Sequence, residues 1–130
     1  TGSIQKGLVV LLGVEDGDTK KDADYIADKV SGLRIFDDSE GVMNLSVSDI
    51  GGGILSVSQF TLLADARKGK RPSYSKAARP EAAKELYDYF NTKIEEKGIT
   101  VGKGIFQAEM LVKIYNDGPV TILLDSKKTF

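Results

Sequence analysis

The 130-residue chain contains no cysteine and no histidine. The first absence excludes a disulfide framework, thiolate metal sites and a cysteine nucleophile. The second removes the commonest general base and the commonest metal ligand. Neither a Ser-His-Asp triad nor an imidazole zinc site can be built, and neither metal nor cofactor is expected. Any hydrolytic chemistry must use hydroxyls, carboxylates, lysine, backbone groups or the substrate itself. Long apolar runs are also lacking. The longest, Leu8 to Val14, has strand length and falls well short of the roughly 18 residues of a membrane span. No membrane partner is expected, no signal-peptide pattern is visible, and a cytoplasmic location is expected. Charge of one sign is missing too: 18 basic residues face 19 acidic ones, a net charge of −1. Whole-molecule charge therefore does not point to nucleic acid, although a local basic patch still can.

What is present describes an ordinary soluble domain, 41% apolar and 28% charged. The length suits one core and leaves no room for two. Gly7 to Val14 reads as a buried strand bounded by glycine. After the turn Glu15-Asp16-Gly17-Asp18, Thr19 and Asp22 resemble a capping box, with Asp18 as the other candidate cap. Ala23, Ile26, Ala27 and Val30 follow at helical spacing, and Gly32 is expected to end this helix in a left-handed conformation. Leu33 to Phe36 and Asn44 to Ser48 read as short strands, and Gly51-Gly52-Gly53 as a turn or bulge. Ile54 to Leu63 reads as a longer strand.

Ala64 to Arg79 is a long irregular segment with no acid after Asp65. Loops of this length in a compact domain are usually functional or disordered. Pro80 suits the first turn of a helix. Ala83, Leu86, Tyr87, Phe90 and Ile94 form its apolar stripe, and Gly98 ends it. Ile99 to Val101, Met110 to Tyr115 and Val120 to Leu124 read as strands. The order of elements predicts a single α+β domain, with two main helices and a mixed, largely antiparallel sheet.

Three segments hold chemistry-bearing groups. On a strand, Gln59 and Thr61 share one face and Ser58 and Phe60 the other. Polar groups at both positions are either ordinary alternation on a half-exposed strand or a satisfied functional pair. Asn116-Asp117-Gly118-Pro119 is either a plain turn or the seat of a cis peptide. A cis bond there would present neighbouring carbonyls to an ammonium group. The basic loop with Arg67, Lys68, Lys70, Arg71, Lys76 and Arg79 is either solvated or a phosphate contact, with Tyr74 as a stacking group. Gly102-Lys103-Gly104 lacks the third glycine of a dinucleotide fingerprint, and no Walker sequence is present.

Taken together, Ser58-Gln59-Phe60-Thr61-Leu62 and Asn116-Asp117-Gly118-Pro119-Val120-Thr121 resemble the D-aminoacyl-tRNA deacylase family. Gly32-Leu33-Arg34-Ile35-Phe36, Gly41 to Val47, and Lys70-Arg71-Pro72-Ser73-Tyr74 agree with it, so the resemblance covers nearly the whole chain. It implies a deacylase-like fold over residues 1–130, its sheet curled toward a barrel, lacking the family's opening strand and hairpin (roughly twenty residues at ordinary strand and turn lengths).

The implied reaction is hydrolysis of the ester in D-aminoacyl-tRNA, and of glycyl-tRNA charged on a non-cognate tRNA, as chiral proofreading. Ser58, Gln59, Phe60 and Thr61 would form the catalytic segment. Gly118 and Pro119 would hold the substrate ammonium from the other subunit of a homodimer. Met43 would line the adenosine pocket, and Arg67, Lys68, Lys70 and Arg71 would contact tRNA. Thr61 is either a nucleophile or a positioning group. With no evident base, the preferred reading gives water activation to the terminal ribose 2′-hydroxyl. The alternatives are an L-specific editing domain, of the kind fused to some archaeal threonyl-tRNA synthetases, and a non-catalytic RNA-binding module on the same fold.

Overall fold

The computed structural model describes residues 2–130. In chain order its elements are strand β1 (Gly7–Leu12), helix α1 (Lys20–Gly32), strands β2 (Phe36–Asp37), β3 (Met43–Leu45) and β4 (Gly53–Ser58), a 3-10 turn (Phe60–Leu63), helix α2 (Pro80–Glu96) and strand β5 (Thr100–Lys103).

β1, β4 and β5 form one sheet with β4 in the centre, and both pairings are parallel. β2 and β3 make a separate antiparallel pair. The expected mixed, largely antiparallel sheet is therefore wrong, and among the described residues no sheet curls toward a barrel. The reason lies in the connections. Parallel strands need a crossover, and each helix supplies one: α1 lies between β1 and β4, α2 between β4 and β5. Met110 to Tyr115 and Val120 to Leu124 are also expected as strands. Those residues join no ladder, because alternation assigns faces to a strand without supplying an edge to pair with.

Both helices begin where the sequence marks them. The Thr19 backbone N–H donates to the Asp22 carboxylate at 2.8 Å, half of a capping box. That bond leads the causes that hold the Asp22 carboxyl below its usual range. Pro80 occupies the first turn of α2. The ends differ from each other. Gly98 follows α2 with φ of 81°, the left-handed stop that glycine permits. Gly32 instead remains in the last turn of α1, and Leu33 caps it.

Ala27 and Val30 from α1 meet Phe90 and Ile94 from α2 over Ile54 of β4. Leu8, Val10 and Leu12, alternate residues of β1, pack on the same cluster. Each fully buried valine, isoleucine or phenylalanine in this cluster contributes about 1.5–3 kcal/mol. A second cluster of Val14, Ala83 and Leu86 sits just beyond the end of β1, with Ala78 and Phe106 against it. It anchors the loops around the candidate site. Beyond β5, by contrast, Leu111, Ile114, Tyr115 and Leu123 are exposed. No helix among the described residues is long and apolar enough to cross a membrane.

Candidate active site

The candidate site forms where the parallel ladder runs out. The Gln59 N–H donates to the Leu12 carbonyl at 2.8 Å, just beyond the Leu12–Ser58 pair. β5 has already stopped pairing at Ser56. With no edge on either side, the chain leaves the expected strand geometry and winds into the 3-10 turn. The Leu62 N–H donates to the Gln59 carbonyl at 3.2 Å. The predicted strand to Leu63 thus ends at Ser58.

Gly13 lets this turn lie close. A Cβ at Gly13 would stand 2.6 Å from Leu63 Cδ2, 3.1 Å from Leu62 Cβ and 3.3 Å from the Gln59 carbonyl oxygen. From behind, the Ser56 carbonyl accepts the Tyr87 hydroxyl at 2.7 Å and the Gly104 N–H at 3.1 Å. The strand end is therefore braced by α2 and by the segment after β5.

Gln59 Nε2 donates to Thr61 Oγ1 at 2.5 Å. The two side chains meet as expected, although a turn rather than a strand brings them together. An amide is not a proton acceptor of useful basicity, so this contact orients the hydroxyl without activating it. Ser58 and Thr61 are half-buried, whereas Phe60 is exposed. Among the described residues, the N–H groups of Phe60 and Thr61 donate to no backbone carbonyl. Two adjacent free N–H groups beside a fixed hydroxyl can cradle developing negative charge on oxygen.

The basic segment folds back onto this turn. Asp65 and Ser73 exchange two backbone bonds of 2.7 and 2.8 Å, closing the tip at 66–72. Tyr74 then meets Phe60 edge-on, with ring centroids 5.3 Å apart. The Arg67 guanidinium grips Asp65 through bonds of 3.0 and 2.7 Å. Those bonds hold the Asp65 carboxyl far below the usual carboxylate range. Arg67 is thereby engaged within the loop. Lys68, Lys70 and Arg71 are exposed at the tip and form no ion pair among the described residues. At the root of the loop, the Asp16 N–H donates to the Lys76 carbonyl at 2.8 Å, and the Ala78 N–H to Val14 at 2.9 Å.

The remaining expected residues lie elsewhere. Met43 is exposed on β3, in the two-stranded sheet, and no ladder links it to Ser58–Thr61. The Gly118–Pro119 peptide is cis, and Gly118 has φ of 133°. Its loop is exposed, and its hydrogen bonds are local. Asn116 Oδ1 accepts the Val120 N–H and Asn116 Nδ2 donates to Thr121 Oγ1, both at 3.3 Å. No hydrogen bond joins it to Ser58–Thr61 of the same chain among the described residues. Sequence reasoning missed Gly13 and Asp65. The one signal for Gly13 is a glycine closing an apolar run. For Asp65 it is an acid two positions before an arginine.

A family profile described as D-Tyr-tRNA(Tyr) deacylase matches residues 1–125. The D-aminoacyl-tRNA deacylase of Koribacter versatilis is 60% identical over 130 residues, all of this chain and 87% of that protein. The enzyme of the same name from Clostridioides difficile is 59% identical, over 99% of this chain and 87% of its own length. Among solved structures, a c-Myc DNA unwinding element binding protein superposes with a TM-score of 0.85 at 38% identity, covering 92% of this chain and 81% of the other. A probable eukaryotic D-amino acid tRNA deacylase shares the fold at a TM-score of 0.55 and 18% identity, over 71% and 54% of the two chains.

Proposed function

This chain belongs to the D-Tyr-tRNA(Tyr) deacylase family, and from that premise we propose that it hydrolyses the ester joining a D-amino acid to the terminal adenosine of transfer RNA. Water adds to the ester carbonyl, the bond to the ribose oxygen breaks, and that oxygen leaves with a proton. Free tRNA and the D-amino acid are the products. Glycine charged on a non-cognate tRNA is a second substrate of the same chemistry.

One observation carries the mechanism. The free N–H groups of Phe60 and Thr61 adjoin a hydroxyl whose side-chain partner is an amide, in a chain without histidine or cysteine. The backbone stabilises the oxyanion, Gln59 and Thr61 position the ester, and the ribose 2′-hydroxyl assists the attacking water. Ser58 supports the same segment. Met43 lines the adenosine pocket. Lys68, Lys70 and Arg71 meet acceptor-stem phosphates, with Arg67 shaping the loop that presents them.

Selection works by exclusion. The carbonyls at Gly118–Pro119 hold the α-ammonium group, an L side chain then collides with backbone, and glycine has nothing to collide. The exposed loop and its self-contained hydrogen bonds support a homodimer in which this element enters the other subunit's site. The exposed apolar row at Leu111, Ile114, Tyr115 and Leu123 supports the same assembly. The reaction is assigned to the cytoplasm, where aminoacylated tRNA is used.

Deacylation of D-tyrosyl-tRNA and L-tyrosyl-tRNA, by wild type and Pro119→Ala side by side, tests this reading. The wild type should hydrolyse only the D-ester, and Pro119→Ala should relax that choice or abolish activity. A folded wild type that binds tRNA and hydrolyses neither ester overturns it in favour of an RNA-binding module. Hydrolysis of the L-ester alone overturns it in favour of an L-specific editing domain.

A further inference from the structure

The segment carrying Gly118–Pro119 joins no ladder from Gly104 onward, so its position depends on what holds its two sides. On the near side, the Phe106 ring lies 6.2 Å from that of Tyr87 and packs on Val14, Ala83 and Leu86. On the far side, Leu124 packs on the main core. Polar contacts follow at once. Ser126 Oγ donates to Asp22 Oδ1 at 2.8 Å. Lys127 Nζ reaches Asp18 Oδ1 at 2.5 Å and Glu15 Oε2 at 2.9 Å, with Asp22 Oδ1 at 4.0 Å. Asp125 aims the lysine by accepting the Lys127 N–H at 3.0 Å and the Thr129 hydroxyl.

The three acids come from the turn after β1 and the first turn of α1. Asp18 is largely covered, its carboxylate side chain 12% exposed, and its other oxygen accepts the Glu15 N–H at 2.8 Å. The carboxylates raise the Lys127 ammonium well above the usual lysine range. A single exposed ion pair contributes little. Here one ammonium bridges two carboxylates at bonding distance, beside a hydroxyl that bonds the third. The same turn also holds the root of the basic loop, through Asp16 to Lys76 and Val14 to Ala78. One turn of chain therefore ties the tRNA-facing loop to the Gly118–Pro119 segment.

We propose that Lys127, with Ser126, is a positioning residue for substrate selection: it clasps the far side of the Gly118–Pro119 segment to Glu15, Asp18 and Asp22. The proposal rests on the reading of Gly118–Pro119 as the selecting element. With Leu124 still packed on the core, opening the clasp loosens the far side, and the twelve residues from Phe106 to Gly118, at roughly 5–6 Å times the square root of segment length, bound the tip's excursion at about 17–21 Å. Exclusion of an L side chain fails with far smaller movements, because the two enantiomers differ by the placement of one substituent. Opening the clasp therefore relaxes rejection of the L-ester before it slows the D-ester.

The test compares wild type, Lys127→Ala, Lys127→Arg and Asp18→Asn. Hydrolysis of D- and L-tyrosyl-tRNA is measured alongside limited proteolysis at Lys113 and elsewhere in residues 112–123. Lys127→Ala should reduce the ratio of D to L hydrolysis by about tenfold, with kcat for the D-ester within about threefold of wild type. Cleavage within 112–123 should quicken while that within α2 stays unchanged. Asp18→Asn should act in the same direction, and Lys127→Arg should restore both readouts. A selective wild type with Lys127→Ala equally selective, or with cleavage unaltered, overturns the clasp and leaves the proposed activity standing. A melting point lowered without change in the D to L ratio makes the contact structural only and likewise overturns it. A wild type that hydrolyses neither ester overturns the activity together with the clasp's role in it.

Discussion

Between Gly13 and the turn at Gln59–Leu63 there is no space for one methyl group. Leu63 Cδ2 belongs to a flexible side chain and can move, but Leu62 Cβ and the Gln59 carbonyl cannot move without shifting the turn. Gly13→Ala should therefore destabilise the protein by about 1–3 kcal/mol, in the range of an overpacked site. It should lower kcat for the D-ester by a larger factor than the loss of folded protein explains, because the free N–H groups of Phe60 and Thr61 ride on that turn. Urea unfolding and single-turnover deacylation on the same sample check both parts. An alanine variant with full activity would detach the turn from the chemistry. At this scale the sequence is informative about Ser58 to Thr61 and about Gly118–Pro119, where polar or restrictive residues stand out from their surroundings. It is silent on Gly13, whose role exists only once β1 and β4 lie side by side. It is equally silent on Lys127, one lysine among many until the fold brings three acids to it.

The elements themselves divide by how local their causes are. α1 and α2 were legible because a capping acid, a first-turn proline and apolar residues at helical spacing all act within a few residues. The strand from Ile54 was legible in kind but not in length, since its end depends on where its neighbours stop pairing. The basic loop was legible in charge but not in shape. Asp65 closes it and occupies Arg67, so the loop's cations are unequal. This inequality is testable by salt. Each lysine or arginine that meets a phosphate adds about 0.7–0.9 to the slope of log affinity against log salt. Lys70→Ala and Arg71→Ala should each reduce that slope by about one such step in tRNA binding. Arg67→Ala should lower affinity with a smaller change in slope. Equal slopes for all three variants would mean that the Asp65 contact opens on binding.

For the whole molecule, the largest departure from expectation is the sheet. Several short strands that follow one another in sequence predict a largely antiparallel sheet. The folded chain pairs the distant ones in parallel and sets the adjacent pair β2 and β3 aside. Register and edge choice come from core packing between α1, α2 and β4, which no single stretch of sequence contains. Global charge is similarly uninformative, because a balance near zero conceals a cationic tip at Lys68–Arg71.

One consequence does follow from composition alone. A chain with no histidine and no cysteine that hydrolyses an ester must use hydroxyls, carboxylates, lysine, backbone groups or the substrate itself, and the proposed mechanism chooses the last two. The most direct test compares D-tyrosyl-tRNA ending in ordinary adenosine with the same ester on a 2′-deoxy terminal adenosine, using wild type and Thr61→Ala. The account predicts that Thr61→Ala keeps its rate on the ordinary substrate within about tenfold. It predicts that the 2′-deoxy ester reacts about 10²–10⁴-fold more slowly with either protein, the scale of a lost proton-transfer group. Full activity on the 2′-deoxy ester, together with an inactive Thr61→Ala, would contradict it and make Thr61 the nucleophile.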